Sequence, residues 1–146
     1  MPTTPGDLDP AVAAAVRASF ARQGLMATLG AHLVQVAPGH VVITAELTPA
    51  LTQQHGHFHG GVVGAIGDSA GGYAALTLMP VGSEVVTAEY KINFLRAAAG
   101  ALLRAEGHVV RAGRTLTVGR VDVSCGAAGN LEPCAIILAT FFRTSA

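Results

Sequence analysis

Residues Gln53–Asp68 read QQHGHFHGGVVGAIGD, and their pattern organises the rest of the chain. His55, His57 and His59 alternate through a glycine-containing loop, which runs straight into an apolar, glycine-laden segment holding one acid, Asp68. A solitary carboxylate in such surroundings is costly unless it is paired or used. The segment from His59 to Leu78 is the one long helical candidate, and Pro80 stops it. Its glycines, Gly60, Gly61, Gly64, Gly67, Gly71 and Gly72, each cost about 1 kcal/mol relative to alanine in a helix interior. Alone, this helix would not form. It makes sense where a curved sheet or a partner helix must come close to its backbone.

The flanking sequence supplies a sheet. Asp7 or Asp9 caps a helix from about Pro10 to Gln23, with Pro10 suited to its first turn. Met26 to Val36 and His40 to Leu47 read as strands joined by a hairpin at Ala37-Pro38-Gly39. Beyond the central helix, strands are expected over Glu84 to Leu95, Ala101 to Val110, Arg114 to Ser124 and Pro133 to Phe142. In the first of these, Ala88, Tyr90, Ile92 and Phe94 alternate with Thr87, Glu89, Lys91 and Asn93, giving one apolar and one polar face. The order helix, two strands, long helix, four strands is an α+β arrangement with a largely antiparallel sheet. No repeat, low-complexity tract or linker interrupts it, so residues 1–146 are expected to form a single domain.

Composition narrows the partners. The chain is 51% hydrophobic and 12% charged, about half the usual charged share. That is too little charge to coat a monomer of this size, and a homo-oligomer is expected. Nine basic and nine acidic residues leave no net charge, which argues against nucleic acid or an anionic membrane as a partner. The first twenty residues lack a basic region followed by an apolar core, so no secretory signal is expected. No uninterrupted apolar run reaches the roughly 20 residues of a membrane helix, since Gly60 to Met79 carries Asp68. Cys125 and Cys134 flank a turn where cross-strand pairing is possible, but two reduced thiols in a cytoplasmic protein are the expectation.

With His59-Gly60-Gly61 as the first helical turn, the leading N–H groups lack partners within the helix and form an oxyanion site. Asp68 lies eight residues on, about 12 Å along the axis. The two features of one helix therefore cannot hold the same small reacting group. Two antiparallel copies side by side could, each presenting Asp68 to the other's N-terminus. This geometry predicts a site shared at a two-fold interface.

HGG followed by six residues and then an Asp, within GAIGDSAGGYAA, together with VVTAEYKINFLRAA and GRTLTVGRVDV, resembles the hotdog-fold acyl-CoA thioesterases. Within them the chain is most similar to the phenylacetate-degradation (PaaI-type) group, over nearly all residues after 25. The resemblance implies a hotdog fold, in which a six-stranded antiparallel sheet wraps a long central helix. Here residues 1–25 would add an N-terminal helical extension. It also implies edge-to-edge dimers, usually assembled into tetramers, and metal-free hydrolysis of acyl-CoA with no cofactor. By resemblance, Asp68 is the nucleophile or general base and the Gly60 N–H polarises the carbonyl oxygen. Gln53 stands where the family places an Asn or Gln that orients water or carbonyl, and Thr87 where relatives carry a hydroxyl near the acid. The position four residues after the acid, a hydroxyl in some relatives, is Gly72 here.

His59 either touches substrate, with Gly61, or orients the loop through hydrogen bonds, and the second role is favoured. Phe58 and Tyr73 are expected to line the acyl pocket. Arg111 and Arg114 either contact the CoA phosphates or are surface charges beside a turn. Two rival readings stand beside hydrolysis by Asp68. One is a metallohydrolase built on His55, His57 and His59, with His40 joining, although no acidic cluster accompanies them. The other is a module that binds acyl-CoA or an aromatic ligand without turnover, for which a buried acid serves no purpose.

Overall fold

In a computed structural model, which describes residues 6–145, the chain opens with helix α1 (Pro10–Ala21). Asp9 caps it, accepting the Ala11 N–H at 2.8 Å, and Pro10 occupies the first turn. Helix α2 (Gly24–Thr28), strands β1 (His32–Ala37) and β2 (His40–Glu46), and a 3-10 turn at Pro49–Leu51 follow. Helix α3 (Gly60–Leu76) then leads to β3 (Glu84–Phe94), β4 (Leu102–Ala112), β5 (Leu116–Ala127) and β6 (Asn130–Ser145). The six strands form one antiparallel sheet in the order β1-β2-β4-β5-β6-β3, with α3 against one face. This is the hotdog arrangement expected from the sequence, with its extra N-terminal helix. Residues 1–5 of the expected extension, and residue 146, lie outside the described residues.

One expected element is different. Met26 to Val36 is not a single strand: residues 24–28 are helical, Gly30 turns the chain at φ +63°, and β1 starts only at His32. Met26 and Leu29 are both buried, and their three-residue spacing is a helical period, not a strand period. The hairpin at Gly39 (φ +67°) forms as expected.

Helix α3 has no solvent face over most of its length, which fits its apolar composition. Its glycines are answered by the sheet. A Cβ at Gly67 would lie 2.3 Å from Ile137 Cδ1, and one at Gly71 would lie 2.7 Å from Phe141 and 3.1 Å from Val121. The contact is reciprocal, because a Cβ at Gly107 of β4 would meet the Ala70 carbonyl oxygen of α3 at 2.5 Å. Ile137, Phe141 and Val121 are fully buried by this approach, each contributing about 1.5–3 kcal/mol of apolar burial. That burial offsets the poor helix propensity.

Strand β3 forms one edge of the sheet and runs antiparallel to α3. Tyr90 meets Gly64 and Phe94 meets Gly60, while Thr87 reaches Asp68. A regular strand would point Thr87 and Tyr90 to opposite faces, as the sequence reading had them. A bulge between Thr87 and Glu89 shifts the alternation, so both side chains face the helix. Val86, Tyr90 and Phe94 remain 52%, 41% and 53% exposed along this edge.

Cys125 and Cys134 are free, buried thiols. Burial pushes Cys134 up to about 11, which keeps it protonated and unreactive. Among the described residues, no helix is long and apolar enough to cross a membrane.

Gly107→Ala should destabilise the fold by about 1–3 kcal/mol, a Tm drop of several degrees, because backbone meets the new methyl. Gly67→Ala should stay within about 1 kcal/mol of the parent, since its methyl meets only the movable end of Ile137 and gains helix propensity. Urea unfolding of both variants checks the contrast.

Candidate active site

His59 is the N-cap of α3, and its Nδ1 accepts the Gly61 N–H at 2.8 Å. This hydrogen bond occupies the Gly61 donor. The Val62 and Val63 N–H groups both bond to the His59 carbonyl. The Gly60 N–H has no acceptor among the described residues. It is therefore the donor left to a ligand at the positive end of the helix.

The loop before it is held by Gln53. Its Oε1 accepts the His55 N–H at 2.6 Å and the His57 N–H at 3.3 Å, which orients the amide and leaves its Nε2 as a free donor among the described residues. Gln53, Phe58 and Gly60 line one cavity of about 380 Å³, walled also by Phe94 and Leu95. Phe58 is almost fully buried and forms the apolar base of that wall.

Asp68 opens into a different cavity, of about 190 Å³. Its Oδ1 accepts the Thr87 hydroxyl at 2.6 Å. Burial pushes the Asp68 carboxyl above its ordinary value, and the Thr87 hydroxyl pulls the other way. Ser69, the neighbour that might have satisfied the acid, turns instead to Gln23, donating to its Oε1 at 3.2 Å. Gln23 Nε2 donates to the Tyr73 hydroxyl at 2.7 Å, and Ser19 lies 3.1 Å from the same oxygen. Tyr73 lines the Asp68 cavity while Phe58, expected beside it in one acyl pocket, lines the other, and the Tyr73 hydroxyl is engaged by residues of the N-terminal segment. Ser19 and Gln23 were absent from the expected site. No local pattern marks them, since the contacts span 50 residues or more of sequence.

The structure thus brings the expected residues into two groups. Gly60, Gln53 and Phe58 share one cavity, and Asp68, Thr87 and Tyr73 share the other, with about 12 Å of helix between Gly60 and Asp68. Arg111 and Arg114 stand exposed at the β4–β5 turn and line neither cavity of their own chain. The loop histidines do not converge with His40. Among the described residues, His40 is instead grouped with Glu106 and His108 on β2 and β4.

Comparison with known proteins agrees with this architecture. Residues 55–129 match the Thioesterase superfamily, covering the loop histidines, all of α3 and strands β3, β4 and β5. A thioesterase family protein from Silicibacter pomeroyi is 42% identical, with a TM-score of 0.90 over 92% of this chain and 99% of that one. A mutant of the phenylacetic acid degradation protein PaaI from Thermus thermophilus is 28% identical, with a TM-score of 0.71 over 84% of this chain and all of that one. A 1,4-dihydroxy-2-naphthoyl-CoA hydrolase of Listeria monocytogenes is 26% identical over 69% of this chain and 82% of its own length. With a free helix N-terminus, a half-buried acid eight residues on and a hotdog sheet around both, the chain belongs to the Thioesterase superfamily.

Proposed function

We propose that this protein is an acyl-CoA thioesterase that hydrolyses an aromatic or medium-chain acyl-CoA to free acid and CoA, in the manner of the phenylacetate-degradation group. The observation that carries the reading is Asp68, a carboxyl raised by burial, held by one hydroxyl and facing a cavity. The similarity to a CoA hydrolase with an aromatic acyl group supports the substrate class.

The site is shared between two chains. Strand β3 is a long, partly apolar edge, and such an edge pairs readily with another strand. A two-fold axis near Tyr90 sets β3 against its copy and lays the two α3 helices antiparallel. Asp68 of one chain then meets the Gly60 N–H and Gln53 of the other, joining the two groups that one chain keeps apart. Dimers, or tetramers built from them, are the working form.

In the reaction, the thioester carbonyl oxygen accepts the Gly60 N–H at the helix N-terminus, with the Gln53 amide as a second donor to carbonyl or water. Asp68 either attacks the carbonyl carbon or takes a proton from a water that attacks it. The tetrahedral oxyanion collapses by breaking the C–S bond. In the water route the thiolate takes the proton held by Asp68 and the free acid leaves. In the nucleophilic route an acyl-Asp68 anhydride forms, which water then hydrolyses to the free acid, restoring the carboxylate and supplying the thiolate's proton. A thiolate leaves readily, so the step needs neither a strong acid nor a metal. Thr87 holds the attacking carboxyl in place. Arg111 and Arg114 of one chain or the other hold the CoA phosphates, and the cytoplasm supplies the CoA thioester.

Asp68→Asn should lower kcat by about 10²- to 10⁴-fold against phenylacetyl-, benzoyl- and straight-chain acyl-CoAs while leaving CoA binding intact. Near-normal turnover in that variant sinks the mechanism. The raised carboxyl has a linked effect on stability. Between the ordinary carboxylate range and the raised value, the folded chain binds more protons than the unfolded one, so stability falls as pH rises. Asp68→Asn should therefore melt at a higher temperature than the parent at neutral pH, with the gap closing in acid.

Thr87→Val removes the hydrogen bond that lowers the Asp68 carboxyl. The acid limb of its kcat–pH profile should move to higher pH relative to the parent. An unmoved limb would mean that Thr87 does not act on Asp68. Tyr90→Glu places two like charges near the proposed axis and should yield inactive monomers, measured by light scattering alongside turnover; an active monomer contradicts the shared site.

A further inference from the structure

On the sheet face opposite α3 sits a cluster that thioester hydrolysis does not use. His40 of β2 and His108 of β4 are direct cross-strand partners, and their rings stack with centroids 4.4 Å apart and planes within 8°. Glu106 lies two residues before His108 on the same face. Its Oε1 is 2.7 Å from His40 Nε2 and 3.7 Å from His108 Nε2. One ligand atom from each residue lies within 4.8 Å of the others. Ligands 2.0–2.2 Å from a tetrahedral ion stand about 3.4 Å apart, within the spread seen here. Small side-chain rotations complete the convergence, and His108, 45% exposed, has room for them.

The surroundings suit the same purpose. The Gln35 side-chain amide is 3.3 Å from His40 Nδ1, and with its oxygen turned inward it accepts the Nδ1–H that a metal-bound imidazole donates. Arg104 holds the second oxygen of Glu106 and leaves Oε1 for a ligand. Arg104 opposes a second positive charge and limits affinity. Two imidazoles and one carboxylate favour a zinc-class ion over calcium or magnesium, which take oxygen ligands.

We infer that His40, Glu106 and His108 bind a divalent transition-metal ion such as Zn²⁺, forming a clamp between β2 and β4. As the ion takes His40 Nε2, the ring proton there moves through solvent to Nδ1, so the bound imidazole stays neutral and donates Nδ1–H to Gln35. The clamp is structural and distinct from the catalytic groups. It straddles Gly107, where β4 presses on the Ala70 carbonyl of α3, two residues from Asp68.

The test uses tag-free, full-length protein stripped with chelator and titrated with Zn²⁺ by calorimetry and with Co²⁺ by visible absorption. One ion per chain is expected, with a Tm rise of about 5–10 °C at one hundred times Kd. His40→Ala and His108→Ala should each weaken binding by at least about tenfold, and Gln35→Ala by about tenfold. His108→Asn, which keeps a polar side chain, provides the same loss if His108→Ala misfolds. Turnover in these variants should match the parent at temperatures well below Tm. Absence of stoichiometric binding overturns the inference, as does binding that survives the His40→Ala/His108→Ala pair or is lost in His55→Ala/His57→Ala.

Discussion

The glycine backbone of α3 and the strands that curve around it approach each other closely, and the remainder of the fold is built on that contact. Gly67 and Gly71 leave space that Ile137, Val121 and Phe141 fill, and Gly107 returns the concession from the sheet. A side chain at Gly107 would push the helix off the sheet, because it would meet backbone and not a movable side-chain tip. Interiors packed at this density transmit such shifts instead of absorbing them. The position of Asp68 relative to Thr87, and of the Gly60 N–H relative to Gln53, both inherit that contact.

The same contact accounts for the electrostatics. A helix enclosed on most sides cannot offer its acid much water, so the Asp68 carboxyl rises above its ordinary value. Among the described residues its side-chain partner is the Thr87 hydroxyl, and no ion pair engages it. At the N-terminus of the helix the first turn stays open, and among the described residues the Gly60 N–H has no acceptor. On the opposite face of the sheet, the alternation of β2 and β4 gathers His40, Glu106 and His108 without affecting the core.

Much of the fold was legible along the chain. The glycine spacing of α3, the alternating strands and the Pro80 stop all express local periodicity. Boundaries failed where two periodicities overlap, as between residues 24 and 32, where a short helix carries the apolar residues of an expected strand. The Thr87 hydroxyl was named only through resemblance, since strict alternation points it away from Tyr90. A bulge is one extra residue of backbone, and strand alternation alone does not reveal it. The Gln23–Tyr73 and Ser19–Tyr73 contacts were invisible because nothing local relates residues so far apart. The histidines were misleading in a similar way. Those close in sequence stay apart in function, whereas His40 and His108 meet only through strand pairing.

By itself, the sequence determined that a glycine-rich helix with one acid needs a close-packed neighbour, a curved sheet or a partner helix, because its propensity is too poor for it to stand alone. It also set the distance between Gly60 and Asp68, since helical rise is fixed by backbone geometry. Only the tertiary structure decided which glycines touch which strands, that Thr87 rather than Ser69 holds the acid, and that His40 sits beside Glu106. Those outcomes depend on register and on a bulge, which arise from pairing between distant segments and leave no periodic trace in either one.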